Sequence, residues 1–158
     1  MATKIIIRAG GAMRAGSERD MVDDYINRAN LLARQTGFLS VEEQPVDVRN
    51  CKSREEETLK LFDSIPNTAL CFALDERGKA FASRQLAKTL SQARDDGQSE
   101  IYIVIGAADG FEPSAIPSTV KKWALGPQTW PHKLVRVMIA EQTYRALSIL
   151  AGTPYHRD

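Results

Sequence analysis

Two short apolar runs constrain the fold of this chain more than any other feature of its sequence. The segments Thr68 to Leu74 (TALCFAL) and Ile101 to Ile105 (IYIVI) are apolar almost throughout. Strands with one solvated face alternate polar and apolar residues, whereas uninterrupted apolar strands are covered on both faces, as in parallel sheets flanked by helices. The sequence therefore predicts a sheet enclosed between two helical layers.

Helical and strand-like segments alternate along the rest of the chain. Further strands are predicted at Lys4 to Arg8 and Ser40 to Val48, and helices from Ser17 to about Gln35, from Ser53 to near Ile65, and from Ser83 to Ala93. The tetrapeptide Ser53-Arg54-Glu55-Glu56 has the pattern of a capping box at a helix start. This alternation is typical of an α/β sandwich with a mostly parallel sheet. We expect one domain spanning residues 1–158.

Composition and charge narrow the classes of function. The chain has 158 residues, 43% of them hydrophobic and 26% charged, as in soluble globular proteins. Its 21 basic and 20 acidic residues give a net charge of only +1, which argues against binding nucleic acid mainly through bulk charge. A protein that recognises a local shape with a local basic patch remains compatible with this balance.

The numbers of cysteines and histidines and the lengths of the apolar runs indicate whether the chain binds a metal and in which compartment it is found. Two cysteines and two histidines, none in a ligand-like spacing, disfavour a structural metal site. No segment approaches the roughly 20 apolar residues that span a bilayer, and the apolar run near the N-terminus is too short for a signal sequence. We therefore expect a cytoplasmic protein with reduced thiols and no membrane partner.

Three loops follow strand-like segments and are candidates for binding a ligand. They are Leu74 to Lys79, Gly106 to Gly110, and Leu125 to Pro131. In open parallel sheets, ligands bind at the carboxyl ends of the strands. The third loop contains two prolines that stiffen it and remove two backbone donors, which suits an adenine-like ring. For each loop taken alone, an ordinary strand-to-helix turn is an equal alternative.

The last thirty residues concentrate polar chemistry. The pair Pro131-His132 is predicted to open a helix, which is fully formed from about Leu134 and stops at a Gly-x-Pro break. The tail Tyr155-His156-Arg157 follows. Polar residues that follow the end of a helix do not pack in the hydrophobic core, so we expect this tail to be docked and functional. On the helix, Glu141 and Arg145 are spaced i, i+4, and a surface ion pair is the alternative there. His132 is interpreted as capping or packing at the helix start.

Five motifs in one order carry a resemblance to a known family. They are LDERGK (74–79), IVIGAADG (103–110), TWPHKLVRV (129–137), EQTYRA (141–146) and PYHR (154–157). Together they resemble the ribosomal RNA large subunit methyltransferase H family of the SPOUT superfamily. The resemblance covers essentially the whole chain and is strongest from residue 70 onward.

The resemblance implies a SPOUT-type α/β/α fold with a C-terminal trefoil knot, in which the last helix threads a loop. It also implies a homodimer that binds S-adenosyl-L-methionine in the knot. The implied reaction is methylation of N3 of a pseudouridine in large-subunit (23S) rRNA, at the intersubunit face of the assembled ribosome. No DNA partner is expected.

Carried over residue by residue, the resemblance implies a cofactor pocket made of Leu74, Gly106, Ala107, Gly126, Pro127, Gln128, Thr129, Trp130 and Pro131. Ala107 stands where the family usually has glycine. If that position requires a positive φ, alanine adds strain of the order of 1 kcal/mol. The alternative is a backbone compatible with a methyl group and a reduced clearance to the cofactor. The pair Gly126-Pro127 also departs from relatives, which more often carry Ser or Leu.

The candidate catalytic residues are Arg145, Tyr155, His156 and Arg157. The hypothesis is that the tail reaches across a dimer interface and holds the target base and its phosphate, while Arg145 stabilises developing negative charge or binds the backbone. The N3 proton passes either to His156, whose ordinary pKa is near neutral, or to water.

Ribosome contact requires only a local patch of basic residues. Candidates for it are Arg8, Arg14, Arg19, Lys121, Lys122, Lys133, Arg136 and Arg157. The competing hypothesis is a non-catalytic nucleotide- or ribosome-binding module on the same scaffold.

Overall fold

Strands and helices alternate in the computed structural model, which describes residues 2–158. The elements are β1 (Thr3–Gly10), α1 (Ser17–Ala33), β2 (Phe38–Val46), α2 (Arg54–Leu61), β3 (Leu70–Lys79), α3 (Ser83–Asp95), β4 (Glu100–Ile105), β5 (Lys121–Trp123) and α4 (His132–Ala151). Short 3-10 turns at Arg34–Thr36 and Pro113–Ala115 complete the set within these residues.

The five strands form one sheet in the order β2-β1-β4-β3-β5. Every neighbouring pair is parallel. All carboxyl ends of the strands therefore lie at one edge of the sheet, where the loops that follow them can meet. This confirms the predicted parallel sheet.

Residues of the central strands alternate between two apolar cores. Ile5, Ile7 and Phe72 pack with apolar residues of α1, α3 and α4 on one face of the sheet. Ile6 and Ala73 pack on the other face with Leu61 of α2 and the segments beside it. Because both faces are covered, the central parts of β1, β3 and β4 have no solvent-facing side. The α/β/α layering predicted from the apolar runs is confirmed.

Helix boundaries follow local signals. The Ser53 hydroxyl accepts from the amide of Glu56 at 3.1 Å, which is the cap that the sequence predicted for α2. Helix α4 ends at Gly152, whose φ of 73° is the left-handed conformation that favours glycine. The threading of α4 through a loop stays a prediction.

Several predicted boundaries were wrong. The second strand runs from Phe38 to Val46 rather than from Ser40 to Val48, and α2 ends at Leu61 rather than near Ile65. The start of α4 at His132, directly after Pro131, is by contrast the one that the Pro-His pair predicts. The three-residue strand β5 was not predicted, because Lys121-Lys122-Trp123 is too short and too polar to show a strand pattern.

The predicted loop from Leu74 to Lys79 is instead an irregular continuation of β3. Leu74 and Lys79 both pair with Trp123, so residues 75–78 bulge out of the β3–β5 ladder. At Gly78 an added Cβ would lie 2.4 Å from the carbonyl carbon of Lys122, so only glycine permits this approach of two backbones. The bulge projects its side chains over the carboxyl edge of the sheet.

Candidate active site

The carboxyl edge of the sheet carries a cavity of about 320 Å³, which we call the three-loop cavity. The three loops proposed from the sequence meet there. Its walls are formed by Leu74 with the bulge, by the segment from Ile105 to Phe111, and by five residues near α4. Arg54, His132 and Val135 complete the lining. The five residues are Trp123, Leu125, Gln128, Thr129 and Trp130. A cavity of this size at this edge is the usual position of a small-molecule site in a parallel α/β sheet.

The bulge is held by an internal ion pair. The Asp75 carboxylate is 3% exposed and accepts from the backbone amide of Arg77 at 2.9 Å and from its guanidinium at 2.7 and 2.8 Å. Burial opposes ionisation of Asp75, but the hydrogen bonds from Arg77 outweigh it and lower the pKa of the carboxyl below its ordinary value. Asp75 is therefore an ionised structural anchor of this wall.

One hydrogen bond joins two walls of the cavity. The Thr129 hydroxyl donates to Glu76 Oε2 at 2.6 Å, which ties the loop before α4 to the bulge of β3. In the same loop the indole N–H of Trp130 donates to the Leu125 carbonyl at 2.9 Å. This bond holds the partly exposed ring of Trp130 at the cavity.

Close backbone packing shapes the loop after β4. A Cβ added to Gly106 would lie 3.2 Å from the carbonyl carbon of Gly110, so the loop turns tightly there. Ala107 does not have a positive φ, because Ser64 is the only non-glycine residue with one in residues 2–158. The strain considered for Ala107 does not arise. Ala107 lies against Gly10, where an added Cβ would come within 3.0 Å of the Ala107 methyl group.

Six of the nine cofactor residues proposed from the sequence line the three-loop cavity, namely Leu74, Gly106, Ala107, Gln128, Thr129 and Trp130. Gly126 lines a second cavity of about 520 Å³ between α1 and α4, which shares Trp123 and Leu125 with the first. Pro127 and Pro131 line neither cavity.

Sequence reasoning missed other wall residues. Arg54, at the start of α2, reaches the cavity from the opposite helical layer and pairs with Glu112 at 2.7 Å. These two residues lie 58 positions apart, and no local pattern connects them. His132 was assigned to capping or packing, yet it lines the cavity. Burial, with the nearby Arg136 and Lys133, lowers the pKa of His132.

The C-terminal tail is docked against α4. The Arg145 Nε lies 2.8 Å from Glu141 Oε1, and the Tyr155 hydroxyl donates to the same oxygen at 3.2 Å. The Arg145 guanidinium carbon lies 4.7 Å from the Tyr155 ring centroid, and the ring of Tyr144 lies 4.6 Å from that of Tyr155. Burial and the Glu141 charge raise the pKa of Tyr155 to about 12, so this phenol is a hydrogen-bond donor at neutral pH.

His156 continues this cluster, whereas Arg157 is exposed. Arg145 Nη1 lies 3.2 Å from His156 Nδ1, and His156 Nε2 lies 3.1 Å from Asp158. Asp158 in turn pairs with Arg84 of α3. None of the four candidate catalytic residues lines the three-loop cavity. Within one copy of residues 2–158, the tail and the cavity are separate sites.

Three of the basic residues suggested for RNA contact are engaged inside the fold, which corrects that assignment. Arg8 is buried and donates to the carbonyls of Leu61 and Asp63 at the end of α2. Arg136 is 3% exposed and donates to the carbonyls of Gly10 and Gly11. Arg19 is paired with acidic neighbours. The exposed candidates are Arg14, Lys121, Lys122, Lys133 and Arg157.

Comparison with known proteins assigns the class. The family model described as predicted SPOUT methyltransferase matches residues 1–156. The chain belongs to the SPOUT methyltransferase family.

Curated relatives match along nearly the whole chain. The protein named ribosomal RNA large subunit methyltransferase H in Maricaulis maris is 46% identical over 98% of this chain and 99% of its own length. Proteins of the same name in Hyphomonas neptunium and Dinoroseobacter shibae are 43% and 40% identical, again over 98% of this chain and 99% of their own lengths.

Two other kinds of feature are absent from residues 2–158. None of the helices is both long and apolar enough to cross a membrane. No three His, Cys, Asp or Glu side chains of this part of the chain are grouped as metal ligands would be.

Proposed function

We propose that this chain is an S-adenosyl-L-methionine-dependent methyltransferase that modifies N3 of a pseudouridine in 23S rRNA on the assembled ribosome, in the cytoplasm. The observation that carries the proposal is the match, at up to 46% identity over nearly full length, to proteins named for methylation of large-subunit rRNA. The three-loop cavity and the docked polar tail support it.

The three-loop cavity fits the proposed cofactor in size and chemistry. Leu74, Leu125 and Trp130 offer apolar and aromatic surface for a purine ring. The carboxylates of Glu76 and Asp109 lie at the same cavity and favour a ligand with a cationic sulfur and a cationic amino group. The close turn at Gly106 brings backbone to the cavity wall without a side chain.

When bound, S-adenosyl-L-methionine supplies a methyl group that is already activated for transfer. The residues of the chain must then align the acceptor with it, since alignment is a large part of the barrier in such reactions. They must also favour the anion of the weakly acidic N3–H of the pyrimidine. Arg145 on α4 and Arg157 in the tail are the cations available for this task.

The separation of tail and cavity in one copy supports a homodimer in which each tail serves the partner's cavity. The second cavity lies beside the three-loop cavity on the α1–α4 face and is lined by Met21, Tyr25, Phe81, Val137 and Met138. Half-exposed apolar surface of this kind is typical of a protein interface. The proposed dimer packs a partner copy on this face, beside the Trp123–Leu125 wall that the two cavities share.

The charge distribution supports an assembled ribosome as substrate rather than free RNA. Lys121 and Lys122 are exposed on edge strand β5, which borders the three-loop cavity. They are suited to phosphate contact beside the site. With a net charge of only +1, the chain lacks the cationic excess of a protein that binds RNA by charge alone. Shape matching to folded rRNA then has to supply much of the recognition.

The test uses purified protein, labelled S-adenosyl-L-methionine, and ribosomes from a strain that lacks this gene, with free 23S rRNA as the matched substrate control. We expect label at N3 of a pseudouridine in the assembled ribosomes and little in free rRNA. Absence of label from ribosomes would contradict the methyltransferase proposal. If ribosome binding persisted without label, the non-catalytic binding module would be favoured.

The role of the tail is tested by Arg157→Ala. Because Arg157 is exposed and lies outside the cavity, we expect the variant to lose methylation while its Kd for the cofactor, measured by calorimetry, is unchanged. Exposed Arg49 pairs with Asp47 in the loop after β2 and lines neither cavity, so Arg49→Ala is the charge-matched control. An unchanged methylation rate in Arg157→Ala would remove this residue from the mechanism.

A further inference from the structure

The imidazole of His156 lies between a group that only donates hydrogen bonds and a group that only accepts them. Arg145 Nη1 is 3.2 Å from Nδ1, and Asp158 Oδ1 is 3.1 Å from Nε2. A guanidinium has N–H donors and no acceptor, whereas an ionised carboxylate has acceptors and no donor. Both neighbours therefore select the same tautomer, in which Nδ1 accepts and Nε2 carries the proton.

Each neighbour of His156 is itself held from the other side. Nε and Nη2 of Arg145 both lie 2.8 Å from Glu141 Oε1 on α4. Asp158 receives two hydrogen bonds from Arg84 on α3, at 2.7 and 2.6 Å. These bonds from Arg84 lower the pKa of Asp158 to about 2, so the carboxylate stays an acceptor at working pH. Donors and acceptors alternate without a break from α4 to α3.

We infer that Arg84 is a positioning residue that acts through Asp158 to hold His156 in the Nε2–H tautomer. This inference rests on the proposed function for its assignment of the tail to the site. In this arrangement both ring nitrogens are already engaged, so His156 orients Arg145 and the tail. The proton that leaves N3 when the methyl group replaces it passes to solvent water.

The tautomer is measured directly by nitrogen-15 NMR of the histidine side chains in the full-length protein. The chain has two histidines, so two ring systems are present, and His132→Gln assigns them. We expect the Nε2–H pattern for His156, with its Nε2 proton visible because the bond to Asp158 slows exchange with water. A ring protonated on Nδ1, alone or together with Nε2, would overturn the inference.

Variants on α3 test the role of Arg84. Arg84→Ala is expected to lose the visible Nε2 proton of His156 and to lower the methylation rate about tenfold through misplacement of the tail, with an unchanged cofactor Kd. Arg84→Lys should restore part of the Nε2 proton signal and part of the methylation rate. Lys88→Ala removes the same charge one turn along α3, from an exposed residue, and should match the wild type. If Arg84→Ala and Lys88→Ala behave alike, Arg84 has no positioning role.

The two proposals fail in different ways. The NMR measurement needs neither ribosome nor cofactor, so a fixed tautomer in a protein that does not label ribosomes contradicts the proposed function and supports the tautomer. Ribosome labelling by a protein whose His156 is protonated on Nδ1 supports the proposed function and contradicts this inference.

Discussion

Gly78 lies where the backbone of β5 leaves no room for a side chain. A Cβ there would stand 2.4 Å from the Lys122 carbonyl carbon and 2.7 Å from the Trp123 amide nitrogen. Backbone atoms cannot rotate away, so Gly78→Ala must push β3 and β5 apart. We expect a loss of about 1–3 kcal/mol in the free energy of unfolding, the usual cost of overpacking, together with a higher Kd for S-adenosyl-L-methionine. Urea denaturation and calorimetry measure the two effects.

Gly97→Ala is the matched control for Gly78→Ala. Gly97 precedes β4 at the opposite edge of the sheet, has a φ of 80°, and has nothing within 4 Å of an added Cβ. The Gly97→Ala variant should lose about 1 kcal/mol in the free energy of unfolding, because alanine is strained in the left-handed backbone conformation. Its Kd for the cofactor should equal that of the wild type. Equal cofactor binding by the two variants would show that the bulge does not shape the cavity.

Tyr155 should titrate at unusually high pH. Burial and the Glu141 carboxylate raise its pKa to about 12 in the folded chain, from an ordinary value of about 10. Because the folded pKa is the higher one, the stabilisation of the docked tail by the neutral phenol is fully present below about pH 10 and is lost as the pH rises through about 12. The difference in tyrosinate absorbance between the wild type and Tyr155→Phe should appear with a pKa of about 12. A difference that titrates near the ordinary value would contradict the docked tail.

Among the structural elements, the loop before α4 and the bulge of β3 are joined by the bond from Thr129 to Glu76. Thr129→Val keeps the shape of the side chain and removes the hydroxyl. Both partners are exposed, so the bond contributes about 1 kcal/mol to holding the two walls together. If the free energy of cofactor binding falls by the same amount, the Kd rises roughly fivefold. Calorimetry measures the Kd. Thr129→Ser retains the hydroxyl and should bind like the wild type, and equal weakening in both variants would rule out this bond as the cause.

The strands and long helices could be predicted because burial leaves a local pattern. The apolar runs at Thr68 to Leu74 and Ile101 to Ile105 correspond to strands covered on both faces, and Ser53 caps α2 as its sequence indicates. Strand β5 could not be predicted in this way, because its pairing with β3 is a tertiary contact and two of its three residues are exposed lysines.

The candidate site was predictable to a similar extent. Parallel strands place their following loops at one edge, so the three loops around Leu74, Gly106 and Thr129 could be grouped from the sequence. The contribution of Arg54 depends on how α2 packs across the sheet, which no spacing reveals. The engagement of Arg136 with the Gly10 and Gly11 carbonyls is likewise a long-range contact.

At the scale of the whole molecule, the tail and the three-loop cavity do not meet within one copy. Arg145 and Tyr155 share the Glu141 carboxylate, His156 lies beside Arg145, and none of the three lines the cavity. In the proposed homodimer, a reaction that uses both parts takes them from different copies of the chain. The proposed homodimer supplies two such shared sites by symmetry.

Mixing two inactive variants tests this claim most directly. Arg157→Ala disables the tail. Leu74→Arg disables the cavity, because a guanidinium in that half-buried wall opposes a cationic cofactor; calorimetry should show that binding is lost. Random exchange makes about half of the dimers mixed, and each mixed dimer retains one of its two shared sites. The mixture should therefore recover about a quarter of the wild-type methylation of ribosomes. A mixture that has exchanged subunits and is as inactive as each variant alone would contradict the shared site.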